Sequence, residues 1–208
     1  CSAYGLTSVS EDQELVELSP EYQFAKTKQI MGDFDSWGAD LRSACKSAVD
    51  YGSVPSDQVP NDLKLDKVGR SGLHWVKWDP KFDKIAKEYR KKSYFSVDGP
   101  HGMFDNIRVA LWANRYEERS VLTGAKWRSE WTVADQGVIP ETYGDFGFGH
   151  AFKVFGWATK EKPYLLLQLS NGTNIGEAGI FYMSKIVADR ELTFGSYSFK
   201  DVEAKVVK

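Results

Sequence analysis

Apolar residues recur at helical spacing through most of the first half of the chain. The sequence Ser19-Pro20-Glu21 predicts a helix start, because Ser caps free backbone N–H groups and Pro fits the first helical position. Further along, Leu41 and Cys45 share one face of another predicted helix. The predicted helices cover residues 1–14, 19–30, 38–52, 82–89 and 105–114. The stretch between the third and fourth of them is rich in Pro, Gly, Asp and Lys, which predicts irregular structure.

The second half changes to short apolar segments that are separated by Gly, Pro or charged residues. Segments of this length and spacing are typical of an antiparallel sheet or barrel. The predicted strands are 120–126, 150–158, 164–170 and 179–184. A mainly helical lobe over 1–113 and a mainly β lobe over 114–208 predict an α+β fold with a cleft between the lobes.

Composition and charge narrow the possible partners. Hydrophobic residues make up 42% and charged residues 27% of the chain, as in ordinary globular proteins. The formal net charge of -2 gives no electrostatic reason to expect nucleic acid or an anionic membrane as a partner. No apolar run reaches the roughly 18 residues of a membrane helix, and no signal peptide opens the chain. The sequence leaves the oligomeric state open.

Cysteine usage points to free thiols. Only Cys1 and Cys45 are present, which excludes a domain held together by several disulfides. Two free thiols are favoured over one bridge between them, with Cys45 as a core residue of its helix. Few cysteines and the lack of an export signal favour a reducing compartment such as the cytoplasm. No cofactor or metal is expected. The acidic residues Asp33, Asp35 and Asp40 lie close together in the sequence but lack the spacing of a metal-binding loop.

One of the three histidines stands in a context that suits catalysis. His150 follows Gly149 and opens an apolar strand, so the backbone is anchored while the ring faces a cleft. A nucleophilic cysteine needs such a base to form its thiolate. For His74 and His101 the surrounding residues favour surface or packing roles.

Four segments, in order along the chain, carry a more specific signal. They are CSAY (1–4), LSPEY (18–22), GHAFKVFGW (149–157) and GTNIGEAGIF (172–181). Together they resemble the nucleophile helix, the following helix start, the histidine strand and the glycine-rich turn of the papain-like cysteine peptidases. Cys1 and His150 lie 149 positions apart, within the roughly 130–150 of this family.

The resemblance implies a papain-like α+β fold and a peptidase that hydrolyses an extended polypeptide without a cofactor. It implies that the Cys1 thiolate attacks the peptide carbonyl, while His150 first accepts the thiol proton and then protonates the leaving amine. A helix that starts at Cys1 would stabilise the thiolate through its dipole.

The chain departs from the family pattern at three places. The Asn that orients the histidine aligns without a gap to Leu169, which forms no hydrogen bond, and a shift of two residues would give that role to Asn171 instead. Ser2 stands where the family has Trp. The family's oxyanion-binding Gln would precede Cys1 by six residues. Either an upstream segment supplies this Gln, or only backbone N–H groups remain as donors.

Two other functions therefore stay open. The first is a non-catalytic protein of the same fold with a binding or structural role, for which Ser2 and Leu169 are the motivating residues. The second is an N-terminal-nucleophile amidase in which the α-amine of Cys1 is the base and His150 is not needed.

Overall fold

A computed structural model of the chain describes residues 1–36, 38–64, 78–115, 120–142 and 144–201. The predicted helices are confirmed within these residues. Their bounds are α1 Ser2–Glu14, α2 Pro20–Met31, α3 Leu41–Asp50, α4 Pro80–Ala86 and α5 Met103–Ala113. A short α6, Lys185–Glu191, lies in the second half of the chain and was not predicted.

The starts of α2 and α3 follow from their capping residues. The Ser19 side chain accepts a hydrogen bond from the backbone N–H of Tyr22, as the Ser-Pro signal predicts. Asp40 plays the same part for α3, where its carboxylate accepts from the N–H of Ser43. The cap at Asp40 fixes the point at which the loop after α2 enters α3.

Six antiparallel strands form one sheet. Their bounds are β1 Lys91–Ser96, β2 Val121–Arg128, β3 Phe146–Thr159, β4 Pro163–Gln168, β5 Ile180–Ser184 and β6 Ser196–Asp201. The order across the sheet is β1-β6-β2-β3-β4-β5. The four predicted strands correspond to β2, β3, β4 and β5. The chain segment 1–113 also contributes β1, which pairs with β6.

Separate apolar clusters cover the two faces of the central strands. On one face, Phe152 joins the largest cluster together with residues from β2, β4, β5, α5 and α6. On the other face, Ala151 and Leu122 pack against Leu6 and Val9 of α1. Side chains alternate along a strand, so the largest cluster covers one face of β3 and α1 packs on the other. The contact between α1 and β3 positions the candidate site.

Candidate active site

Cys1 stands at the start of α1. It is the N-cap residue of the helix, is exposed and forms no disulfide. The N–H of Gly5 donates to the Cys1 carbonyl at 2.8 Å, which closes the first turn. The N–H groups of a first turn have no partner within the helix, and the helix dipole adds a partial positive charge there. This position suits a thiolate or an oxyanion.

His150 lies in β3 opposite Ala125 of β2 and is only 7% exposed. Aromatic rings surround its imidazole. Trp127 and Phe148 stand edge-on at 5.5 Å between ring centroids, and Phe152 lies at 6.2 Å. Within the described residues, none of the hydrogen bonds involves the His150 ring. The imidazole is therefore held by packing.

Burial controls the charge of this imidazole. Loss of hydration, together with a smaller effect of the positive α-amino group of Cys1, lowers the pKa of His150 from 6.5 to about 4. His150 is therefore neutral at pH 7 and can accept a proton. The second cause indicates that Cys1, the N-cap residue of α1, is within electrostatic range of the imidazole.

Close packing of α1 on β3 explains this proximity. A Cβ built on Gly5 would lie 3.4 Å from the Phe152 nitrogen and 3.5 Å from the Ala151 carbonyl carbon. Gly5 is one helical turn from Cys1, and Ala151 is the neighbour of His150. The absence of a side chain at Gly5 lets the first turn of α1 approach the strand that carries the histidine.

Helix α3 also packs closely against the strands beside the histidine. A Cβ built on Gly124 of β2 would lie 3.1 Å from Leu41 Cδ1, 3.1 Å from Phe194 Cβ and 3.2 Å from the His150 carbonyl oxygen. Leu41 is the first residue of α3, so this helix begins beside the backbone of the histidine. The half-exposed Phe194 ring extends on to Gly149, at 3.1 Å from a Cβ built there.

The two candidates for the orienting residue, Leu169 and Asn171, have different surroundings. Leu169 is buried in the large apolar cluster with Phe152. The β3–β4 pairing ends at the pair formed by Lys153 and Gln168, and the exposed Asn171 lies in the turn that follows. Neither residue takes part in a hydrogen bond with His150 among the described residues.

A pocket of about 190 Å³ opens beside the first turns of α1, lined among others by Tyr4, Ser8 and Ser170. A larger hollow of about 580 Å³ is lined by Asp12 and Trp157 near the other end of the helix. Eleven residues of α-helix separate Asp12 from Cys1, or about 16 Å at 1.5 Å per residue. The smaller pocket is lined by Tyr4 and Gly5 of the first turn of α1, and neither Cys1 nor His150 is among the described residues that line either pocket.

The remaining titratable candidates lie elsewhere. His101 is exposed in a turn and its carbonyl accepts from the Asn106 side chain at 2.8 Å, whereas His74 lies outside the described residues. Cys45 is buried in the cluster between α1, α3 and the sheet, and burial raises the pKa of its thiol. In the described ranges, no cluster of acidic, His or Cys residues is arranged so that it could hold a metal ion. No helix of the described chain is long and apolar enough to cross a membrane.

Sequence reasoning missed the aromatic surroundings of His150. The signal was present, because Phe148, His150 and Phe152 alternate with smaller residues along β3 and so share one face of the strand. It also missed Gly5, whose role depends on a strand about 150 residues away.

Solved cysteine proteases have a similar fold. Xylellain, a cysteine protease from Xylella fastidiosa, is similar with a TM-score of 0.76 and 20% identity over 98% of this chain and 80% of xylellain. For the bromelain protease from Ananas comosus, solved with the E64 inhibitor, the TM-score is 0.64 at 14% identity, over 97% of this chain and 89% of the bromelain chain. The clostridial cysteine protease Cwp84 is similar with a TM-score of 0.70 and 17% identity, and this chain spans 53% of that longer chain. No protein-family model and no curated protein sequence matches the chain.

Proposed function

We propose that this chain, which has the fold of the papain-like cysteine proteases, is itself a cysteine peptidase with Cys1 as nucleophile and His150 as base. One observation carries the proposal: the exposed cysteine caps a helix whose first turn packs on the strand of a buried, neutral histidine. The polypeptide substrate is expected to lie extended in the cleft between the helical lobe and the sheet.

The proposed reaction uses the neutral state of His150. As Cys1 Sγ bonds to the peptide carbonyl carbon, the thiol proton moves to the imidazole and the carbonyl electron pair moves to the oxygen. The backbone N–H groups at the start of α1 are suited to stabilise this oxyanion. His150 then gives the proton to the leaving nitrogen as the C–N bond breaks. A water that loses a proton to His150 hydrolyses the thioester and releases the Cys1 thiol.

Aromatic packing would replace the missing hydrogen bond to His150. Edge-on aromatic pairs contribute about 0.5–1.5 kcal/mol each beyond the burial of area, and two such contacts, from Trp127 and Phe148, restrain the ring. This restraint is comparable with one hydrogen bond, which contributes about 0.5–1.5 kcal/mol net. The position of Leu169 in the apolar cluster is therefore compatible with a working base.

Hydrolysis of a fluorogenic peptide tests the proposal. We expect turnover that is abolished in Cys1→Ala and lowered by about 10²–10⁴ in kcat in His150→Gln, because His150 supplies the proton transfers. Cys45→Ala is the matched control and keeps its activity. Activity that survives Cys1→Ala would contradict the proposal, and full activity in His150→Gln would favour the α-amine of Cys1 as base.

A non-catalytic role is the second candidate. It is favoured by the apolar Leu169 and by the lack, among the described residues, of a hydrogen bond to the His150 ring. In that case the cleft binds polypeptide without cleaving it. Binding of a peptide without turnover, together with no modification of Cys1 by iodoacetamide or a peptidyl epoxide, would support this role over the peptidase.

A further inference from the structure

Lys153 connects β3 with α1. It lies in β3 and is only 8% exposed. Its ammonium group donates to Asp12 Oδ1 at 2.8 Å and to the Ser8 carbonyl oxygen at 3.4 Å, and both of these residues belong to α1. The second Asp12 oxygen accepts from the hydroxyl of Ser120, the residue before β2, at 2.5 Å. Charged groups that are this well buried are usually paired. Here the pair joins the helix to the sheet.

Regular secondary structure separates this contact from the candidate catalytic residues. Lys153 follows His150 by three residues of strand, or about 10 Å, and the pairing of β3 with β2 keeps one register over this stretch. Ser8 follows Cys1 by seven residues of helix, which is also about 10 Å. Equal lengths of strand and helix therefore lead from the contact back to His150 and to Cys1.

The helix and the strand run in the same direction. A Cβ built on Gly5 would lie 3.5 Å from the Ala151 carbonyl carbon. Farther along the helix, Ser8 contacts Lys153, which is farther along the strand. Movement of α1 along β3 at this contact therefore changes the alignment of the two candidate catalytic residues by the same amount.

The apolar contacts between α1 and the sheet are not directional. Leu6 and Val9 belong to a cluster with Ala151, and the free energy of such burial depends on area rather than on the alignment of particular atoms. A charge-assisted hydrogen bond, in contrast, weakens when its donor and acceptor move apart or lose alignment. The best-attested use of a buried ion pair is to select one register. The pair of Lys153 and Asp12 is therefore suited to fix the position of α1 along β3.

We propose that Lys153 is a positioning residue that fixes the register of α1 on β3 and thereby aligns Cys1 with His150. The proposal rests on the proposed peptidase function and adds a residue that acts through α1 rather than on the substrate. Misplacement of a reacting group by about 1 Å lowers a rate by up to about 10²-fold. Loss of the Lys153 ammonium group therefore slows the chemistry at Cys1, whereas peptide binding changes little.

Lys153→Met is compared with Lys91→Met. Lys91 is also buried and its ammonium group contacts Glu14 of the same helix at 2.7 Å, but it lies in β1, which pairs with β6 rather than with β3. Both changes remove a cation that contacts a carboxylate of α1, and both are expected to lower stability. For Lys153→Met we expect kcat for a fluorogenic peptide to fall about 10²-fold, with KM within about twofold of the wild-type value. Folded Lys91→Met keeps the wild-type kcat.

Asp12→Asn tests the same contact from the helix. The amide keeps the size of the side chain and removes its charge, so it holds the ammonium group less strongly, and we expect kcat to fall about tenfold or more at unchanged KM. Circular dichroism establishes which variants are folded.

A wild-type kcat in folded Lys153→Met, or in Asp12→Asn if Lys153→Met does not fold, overturns the inference and leaves the peptidase function intact. An equal fall of kcat in folded Lys91→Met also overturns it, because the effect would then be a general loosening of α1. A wild-type protein that neither cleaves peptides nor reacts with a peptidyl epoxide refutes the peptidase function, and the inference with it.

Discussion

Removing the Phe148 ring should raise the pKa of His150. The ring stands edge-on to the imidazole at 5.5 Å and is 47% exposed. Phe148→Ala therefore opens one side of the imidazole to water, while Trp127 and Phe152 continue to cover the others. Hydration stabilises the charged form of the ring, so the pKa moves upward.

The size of the change follows from the present burial. The pKa of His150 is about 4, against 6.5 for an exposed histidine, a gap that corresponds to about 3 kcal/mol. Phe148 is one of three aromatic neighbours, so its removal should recover about a third of the gap, or about 1 kcal/mol, and place the pKa near 5. The half-exposed ring adds little to the core, and we expect the variant to lose about 1–2 kcal/mol of stability.

An NMR pH titration of the imidazole protons measures this pKa directly. The chain has three histidines, and the signal that is missing in His150→Gln identifies the one required. The acid limb of peptide hydrolysis should move up by the same amount, because only the neutral ring accepts the thiol proton.

Phe146→Ala is the matched control for this experiment. Phe146 is 57% exposed, lies on β3 and precedes Phe148 by two residues, beyond the irregularity in pairing at Trp127 and Arg128. It has no ring contact with His150 among the described residues. Its removal should leave the pKa of His150 unchanged. An equal change in both variants, or none in Phe148→Ala, would refute the assignment of the low pKa to burial by Phe148.

Three further predictions follow from the same structure. The pKa of His150 is lower in the folded than in the unfolded chain, so between about pH 6.5 and 4 the unfolded chain binds an extra proton. The free energy of unfolding therefore falls by up to about 3 kcal/mol as the pH is lowered through this window. Urea unfolding checks this, and a His150→Gln protein with the same pH dependence would contradict it. Gly5→Val places a branched side chain where even a Cβ lies 2.9 Å from Leu122 Cδ1. We expect the free energy of unfolding in urea to fall by about 1–3 kcal/mol and the alkylation of Cys1 to become slower. Wild-type values for both would show that the packing of α1 on the sheet is not tight. Glu191→Gln removes the carboxylate that the Arg128 guanidinium contacts at 3.1 Å in a buried pair. This change should lower the free energy of unfolding, measured by thermal unfolding, by about 3–5 kcal/mol. A decrease below about 1 kcal/mol would rule out a structural role for the pair.

Elements with strong local signals were predictable from the sequence. The Ser19 cap and the following Pro defined the start of α2, and the apolar runs of β2 to β5 defined four strands. Strands β1 and β6 were missed because their apolar alternation is weak. In β6, for example, Ser196 and Ser198 are buried, and the Ser196 hydroxyl is hydrogen-bonded to the Thr123 hydroxyl at 2.6 Å. Only the tertiary partner makes such a polar position suitable for burial.

The candidate site was predictable to a smaller extent. Motifs pointed to Cys1 and His150, whose roles stay proposals, because each lies in a short segment with its own pattern. Nothing local indicated that Lys153 is buried, since its partners Ser8 and Asp12 lie 145 and 141 residues away in the sequence. A lysine is ordinarily exposed, and the sequence alone gives no reason to expect otherwise.

The mass of the protein, quenched with acid during hydrolysis of a peptide ester, tests the pairing of thiol and imidazole most directly. We predict an added mass equal to the acyl group on Cys1, which forms within the first turnover in the wild-type protein and about 10²-fold or more slowly in His150→Gln. Product formation without any acyl group on Cys1, or an adduct that forms at the wild-type rate in His150→Gln, would contradict the account.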